Sequence, residues 1–504
     1  MNRQVSAVLL GAALLLPPAP GGTSGRRAEV APVVTDGNIG RVRLDECSSG
    51  QKAKEAGIKA MSSAADASGE KPESIPEAVK ENIRKRIENG SSVGIVVGVI
   101  DAEGRREYFS HGSKTRCEHN PVDENSVYEI GSISKVFTCT LFADMALNNE
   151  VNPDDPIERY LPSDVKVPAR NGLKMTLEHL ATHTSALPRM PDNFHSNDPA
   201  QPYADYTVEN MYDFISGYKL KRDIGEKYEY SNLGVGLLGH ILGLRAHQTY
   251  EQLLIARICN VLGMDSTRIT LTDDMKRRLA RGHNPRSEAS SWDVPALAGA
   301  GGIRSTAKDM LTFLAANMGG KKSRLSDAMD MAHKARVEAG KTTKVGLGWH
   351  IRNNEKNQII THNGGTDGYS SFCGFIKDKK IGVVVLSNMN VNVDDIGFHL
   401  LDGSSELKEA KETVKLDPEV LERYAGRYKF IESKTVVDIS REEDRLVFQV
   451  QGQANKLALF PESDTLFFMK EVSNKVEFIR DKSGKATGLI LIRPDRKTEA
   501  KKIK

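Results

Sequence analysis

The sequence predicts a multi-layer α+β fold: an antiparallel sheet flanked by helices with an added helical lobe, followed by a small antiparallel β-barrel domain. Three observations predict it. β-rich runs occur both early and late in the first 400 residues, the stretch between them is mostly helical, and a new rhythm of short strands begins near Tyr424. A chain of 504 residues also exceeds one typical domain and suits two.

Taken in order, "MNRQVSAVLLGAALLLPPAPGG" places Arg3 before an apolar run from Val5 to Leu16, then prolines and small residues. That is the layout of a secretory signal peptide, expected at 1–22, and the run is too short to span a bilayer. Residues 23–74 are rich in Gly, Ser, Ala, Lys and Glu and read as a linker. A catalytic domain is expected over 75–403. "IPEAVKENIRKRIENG" (75–90) has helical spacing and stops at glycine, and "VGIVVGVID" and "REYFSHG" follow as strands around the turn "AEGR". From about Asp154 to Asn317 the pattern is helical with loops. "TKVGLGWHI", "QIITHNGG", "YSSFCGFIK" and "IGVVVLSNM" then return as strands at hairpin spacing, which favours pairing of early and late strands in one sheet.

A composition break at 404–417 reads as a second linker. Over 418–504, "RYKFI", "TVVDIS", "RLVFQV", "KLALF", "LFFM", "KVEFI" and "GLILI" recur about every ten residues, the spacing of a small barrel or sandwich. This region concentrates no catalytic residue types and reads as a packing or binding module. The basic end, "KTEAKKIK", reads as a solvated tail.

Composition excludes several functions. Net charge is +3 with no concentrated basic face, which leaves no electrostatic case for nucleic acid. After the signal, no uninterrupted apolar stretch approaches the roughly 18 residues of a membrane span. The five cysteines, Cys47, Cys117, Cys139, Cys259 and Cys373, are too scattered for a disulfide framework or a zinc site, though one or two bridges stay open. Cys139, within an apolar helix, reads as a core residue.

Chemistry concentrates in "YEIGSISKVFT" (128–138). The apolar residues Ile133, Val136, Phe137, Leu141, Phe142 and Met145 mark a buried helix, and on it Ser132 and Lys135, three apart, emerge as neighbours. Burial disfavours the ammonium form of a lysine, so Lys135 can help remove the Ser132 proton. The helix N-terminus adds positive potential where an oxyanion would form. Ser134 reads as a local hydrogen-bonding residue.

Two further motifs join this one: Tyr230-Ser231-Asn232 ahead of an apolar helix, and His362-Asn363-Gly364-Gly365 at the end of a strand. With these the chain resembles the serine β-lactamases and penicillin-recognising D-alanyl-D-alanine peptidases, particularly the class C β-lactamase and D,D-carboxypeptidase branch. There Ser-x-x-Lys, Tyr-x-Asn and Lys/His-x-Gly elements occur in this order. "LEHLATHTSALP" and "AGAGGIRSTAKDM" also look like stretches of that family, and the likeness covers roughly 75–400.

The resemblance implies acyl transfer through a covalent ester, on β-lactams or D-Ala-D-Ala peptides, with no cofactor and no metal. It makes Ser132 the nucleophile, Lys135 its activator and Tyr230 a proton shuttle whose phenol is lowered by nearby cations. Asn232 would bind the substrate amide, and His362, where many members have lysine, would face the substrate carboxylate. Gly364 belongs to the same substrate-facing motif, and the N–H groups of Ser132 and Gly365 would form the oxyanion hole. Imidazole is largely neutral near pH 7, so its grip on a carboxylate is weaker than lysine's. An esterase or amide hydrolase on the same fold is therefore one alternative, and a non-catalytic cell-wall-binding protein is another. Either way, the implied place of action is the secreted or periplasmic side of a bacterial envelope.

The remaining motifs carry less. Gly234 to Gly239 fits Gly-x-Gly-x-x-Gly but follows no strand, and His179 and His183 stand four apart without the glutamate of a zincin. Structural roles are expected for both.

Overall fold

The run Gly94–Ile100 forms a strand, β1, buried on both faces. Successive side chains of a strand point to opposite sides, so Val96 and Ile100 enter one core while Ile95 and Val97 enter another. A strand covered on both faces has no need of polar alternation, hence the continuous apolar run. β2 (Arg106–Gly112) follows by hairpin, and β3 (Tyr128–Glu129) pairs with β4 (Arg304–Ser305) outside the main sheet. Five of the remaining strands come in quick succession: β5 (Val337–Glu338), β6 (Thr343–Val345), β7 (His350–Asn353), β8 (Gln358–Gly365) and β9 (Ser370–Ile376). β10 (Ile381–Ser387) closes the set.

These strands are seen in a computed structural model that describes residues 75–503 apart from 117, 199, 286, 321, 404, 409–413, 434, 443–444, 454–455, 470–473 and 494. The signal expected at 1–22, the linker at 23–74 and Cys117 lie outside the described residues. The main sheet runs β2-β1-β10-β9-β8-β7-β6-β5 and is antiparallel throughout, so β1 from the start of the fold lies between β2 and the late β10. Helices Glu77–Glu88 and Asp394–Asp402 cover one face through Val79, Ile83, Ile396 and Leu401. On the other face, Ala307–Asn317 leads into the helical lobe that contains Ser134–Leu147 and Asn232–Ala246.

Beyond the sheet, eight strands close into an antiparallel barrel: β11 (Gly426–Phe430), β12 (Val436–Glu442), β13 (Arg445–Val450), β14 (Lys456–Pro461), β15 (Leu466–Met469), β16 (Lys475–Arg480), β17 (Ala486–Ile492) and β18 (Lys497–Lys502). Its core is filled by Tyr428, Val437, Leu446, Phe467, Phe478, Leu489 and others, and the helix Pro418–Tyr424 adds Leu421 and Tyr424. One expectation fails here. The basic end is no solvated tail: Lys497–Lys502 is the strand that closes the barrel, bonded to both β17 and β11. It sends only Ala500 wholly inward and turns most of its charges outward, so its composition reads as solvent-facing while its backbone completes the ladder.

Among the described residues Cys139, Cys259 and Cys373 are buried free thiols. Cys139 is in the core as expected, and burial pushes its thiol up to about 12.

Candidate active site

From Ser126 to Met145 every residue is buried except Ser132, which is half-exposed. The exposure comes from a local departure. Gly131–Ile133 is a tight 3-10 turn, and the α-helix begins only at Ser134, so Ser132 precedes the helix and is not in its first turn. Two glycines make that turn possible. Gly131 has φ +49, and a Cβ there would stand 2.8 Å from the nitrogen of Gly365. A Cβ on Gly364 would come within 2.1 Å of the Ile130 oxygen. The end of β8 thus presses against the Ser132 turn at a distance that only glycine permits.

Lys135, wholly buried, sits one turn on. Its Nζ lies 3.0 Å from Ser132 Oγ and donates to the Ala300 carbonyl at 2.6 Å. Burial first, and the Arg189 charge second, hold its pKa well below the usual 10.5. In its neutral form the amine would keep one N–H on Ala300 and have a lone pair for the Ser132 proton. Ser134 does more than form a local bond: its Oγ accepts the Ile303 N–H at 3.1 Å, tying the helix to the segment that carries Ala300.

Tyr230 arrives from another part of the chain, immediately before a helix that Ser231 caps by accepting the Gly234 N–H at 2.9 Å. The phenol lies beside Ser132, close enough for that hydroxyl to lower its pKa in part, and Lys135 Nζ is 4.9 Å from its ring centroid. The expected lowering of this phenol is corrected. Burial pushes it up to about 12, and the Ser132 hydrogen bond and the Arg189 charge only partly offset that. At neutral pH it holds its proton and is a hydrogen-bond donor. The cation that does lower it in part is Arg189, not Lys135.

His362, expected to face a substrate carboxylate, has surroundings that weaken such a grip. Its Nδ1 donates to the Asn363 carbonyl at 2.6 Å, which leaves Nε2 as a lone-pair acceptor, buried and without a partner. Burial, with His350 and Lys135 nearby, holds the imidazole well below 6.5. A neutral acceptor offers a carboxylate neither charge nor proton. Asn232, the first residue of the capped helix, donates through Nδ2 to Met190 Sδ at 3.4 Å, and its buried Oδ1 has no partner.

The structure therefore brings Ser132, Lys135, Tyr230 and Gly365 together, with His362 beside Tyr230 at 6.4 Å between ring centroids. Sequence reasoning missed four neighbours. His183 stacks on Tyr230 at 4.5 Å, and its Nδ1 accepts the Ser231 N–H at 3.0 Å. The Arg189 guanidinium lies 5.1 Å from the Tyr230 ring centroid. Ala300 holds Lys135, and His350 packs on His362 at 5.0 Å. The available signal was that "LEHLATHTSALP" and "AGAGGIRSTAKDM" resemble stretches of the family, which covers His183 and Ala300 but names no target, and reaches neither Arg189 nor His350. The lookalikes resolve as structural. Gly234 to Gly239 lie within the helix Asn232–Ala246, and His179 completes a capping box with Thr176. Among the described residues no cluster of three or more His, Cys, Asp or Glu could hold a metal.

Comparison with known proteins gives the same outline. The "Beta-lactamase" family model matches residues 79–399, and a domain of unknown function (DUF3471) matches 410–503. Penicillin-binding protein 4* of Bacillus subtilis is 26% identical over 412 residues, covering 75% of this chain and 89% of that protein. The D-alanyl-D-alanine-carboxypeptidase/endopeptidase AmpH of Escherichia coli is 29% identical over 329 residues, covering 60% and 84%. A crystal structure of a class C beta lactamase from Rhodobacter sphaeroides superposes with a TM-score of 0.55 at 25% identity, covering 62% of this chain and 95% of that one.

Proposed function

Since the chain belongs to the beta-lactamase family, as a hydrolase of the serine β-lactamase and D,D-peptidase type, we propose that it opens β-lactams or cleaves D-Ala-D-Ala peptides through an acyl-enzyme on Ser132. One observation carries this assignment of roles: a wholly buried amine, held below its ordinary pKa, 3.0 Å from the one half-exposed hydroxyl of a buried run. Lys135 takes the Ser132 proton as Oγ attacks the acyl carbon. The N–H groups of Ser132 and Gly365 face the developing oxyanion, and Asn232 Oδ1 is free to accept a substrate amide N–H. Tyr230 gives its proton to the leaving nitrogen and regains one from the Lys135 ammonium beside it. The same relay, run backwards through water, hydrolyses the ester. The signal read at 1–22 supports a site of action in the bacterial envelope, and no helix of the described residues is long and apolar enough to cross a membrane. The filled barrel core supports a packing role for the last domain.

The test is intact-mass spectrometry after exposure to a penicillin, a cephalosporin and a D-Ala-D-Ala peptide. An adduct on the natural chain that is absent from Ser132→Ala is the expected result; an adduct that survives the substitution overturns it. The neutral, acceptor-only His362 favours a second reading, hydrolysis of esters or amides that lack a carboxylate. Nitrocefin and p-nitrophenyl esters assayed side by side separate the two.

A further inference from the structure

His362 presents only a lone-pair acceptor and Lys135 is wholly buried with its amine turned to Ser132 and Ala300, yet an arginine stands at the site. Arg189 is exposed, and its guanidinium lies 5.1 Å from the ring centroid of Tyr230. Its charge reaches Lys135, His183 and Tyr230, lowering all three. Among the described residues no carboxylate pairs with it, and the Tyr230 ring is the contact its guanidinium makes.

The backbone beneath it is fixed to the residues that carry the chemistry. The Arg189 carbonyl accepts the Asn232 N–H at 3.0 Å and the Leu233 N–H at 3.4 Å. Ser231 Oγ donates to the Pro188 carbonyl at 2.7 Å, and the Glu229 N–H to the His183 carbonyl at 2.8 Å. The segment 183–190 and the segment 229–233 therefore form one unit, and Arg189 is held at the Tyr230 side of the reacting hydroxyl. A guanidinium presents a planar fork of donors that matches a carboxylate. An exposed arginine with an acidic neighbour would be a surface ion pair, but here the fork is open to solvent over a catalytic phenol.

We infer that Arg189 is the group that recognises a carboxylate on the acyl donor, in place of His362, and so directs the site toward anionic β-lactams and peptides. This rests on the acyl-enzyme reading above. The carboxylate would dock against the guanidinium while the acyl carbon meets Ser132, and the residue acts on binding before any bond changes.

The experiment compares acylation by benzylpenicillin and by its methyl ester, followed by intact mass, in the natural chain, Arg189→Gln and Arg189→Lys. The natural chain should prefer the free acid, and that preference should fall about tenfold or more in Arg189→Gln, as expected for loss of a charge-assisted contact. Arg189→Lys should restore part of it. A merely structural role for Arg189 slows both substrates alike and leaves their ratio unchanged, which overturns the inference. As a second measurement on the natural chain alone, rising salt should weaken acylation by the acid more than by the ester, and equal salt dependence also counts against it. An absence of any acyl adduct in the natural chain sinks the acyl-enzyme reading and this inference with it; adducts with an unchanged ratio sink this inference alone.

Discussion

The sheet-and-helix region from Glu77 to Asp402 and the barrel from Gly426 to Lys502 bury different chemistry. The first encloses Lys135, His183, His362, Glu129 and Arg304 in its interior, while no described residue of the barrel is a buried charged or amide-bearing side chain. Two tyrosine hydroxyls are the polar groups at the barrel's core, and both are satisfied: Tyr424 donates to the Asp464 carbonyl at 2.6 Å and Tyr428 to the Tyr424 carbonyl at 2.7 Å. In the first region, His183 Nε2, His362 Nε2 and Asn232 Oδ1 are buried with no partner. Each such group costs about 1–3 kcal/mol, so the surrounding apolar cores must hold them in place against their own preference. Among the described residues, unpartnered buried groups also occur elsewhere in the first region, as at Trp349 Nε1, Arg268 Nε and Asn388 Oδ1, so the three at His183, His362 and Asn232 are set apart by their place around Tyr230.

Three measurements break or sharpen this contrast. The largest effect belongs to Lys135→Met, which keeps the apolar stem and removes the amine. Acylation by nitrocefin should slow by about a hundredfold to ten-thousandfold in a burst assay. A rate within tenfold of the natural one would make the amine a structural group and erase the distinction. Next, Phe478→Ala, in the barrel core where the ring stacks on Tyr424 at 4.3 Å, should destabilise the barrel by about 3–5 kcal/mol. Denaturant titration should then show an early transition that leaves Ser132 acylation intact; activity lost in step with that transition would show the two regions to be one cooperative unit.

The smallest effect is on pH dependence. Burial holds His350 down to about 4 and His333 to about 3, and holds His183 and His362 well below 6.5. Groups whose folded pKa is depressed add stability that is complete above their unfolded value, near 6.5, and that is lost as pH falls through their folded values. None of the 12 histidines lies in the barrel. The melting point of the first region should fall by several degrees between pH 7.5 and pH 4.5, with little histidine-linked change in the barrel. An identical acid response in both would remove the buried imidazoles as its cause.

How much of this was legible follows from where each signal sits. Ser132 with Lys135, Tyr230 with Asn232, and His362 with Gly365 each lie within a few residues along the chain, so spacing alone makes them visible. β1 was legible because burial on both faces demands an unbroken apolar run. β18 was not, because a closing strand with one wholly inward residue, Ala500, has almost no apolar signature.

The sequence by itself determined the candidate site's residue types, their order and the layered fold, because covalent spacing and side-chain periodicity survive without any knowledge of contacts. Only the tertiary structure decided that the Tyr230 phenol keeps its proton, that His362 is an acceptor, and that Ala300, His183 and Arg189 surround them. Protonation is set by burial and by which groups lie within a few ångströms. Ala300 is 165 residues from Lys135, and His183 and Arg189 come from a segment about 40 residues or more from Tyr230, distances over which no local pattern carries information.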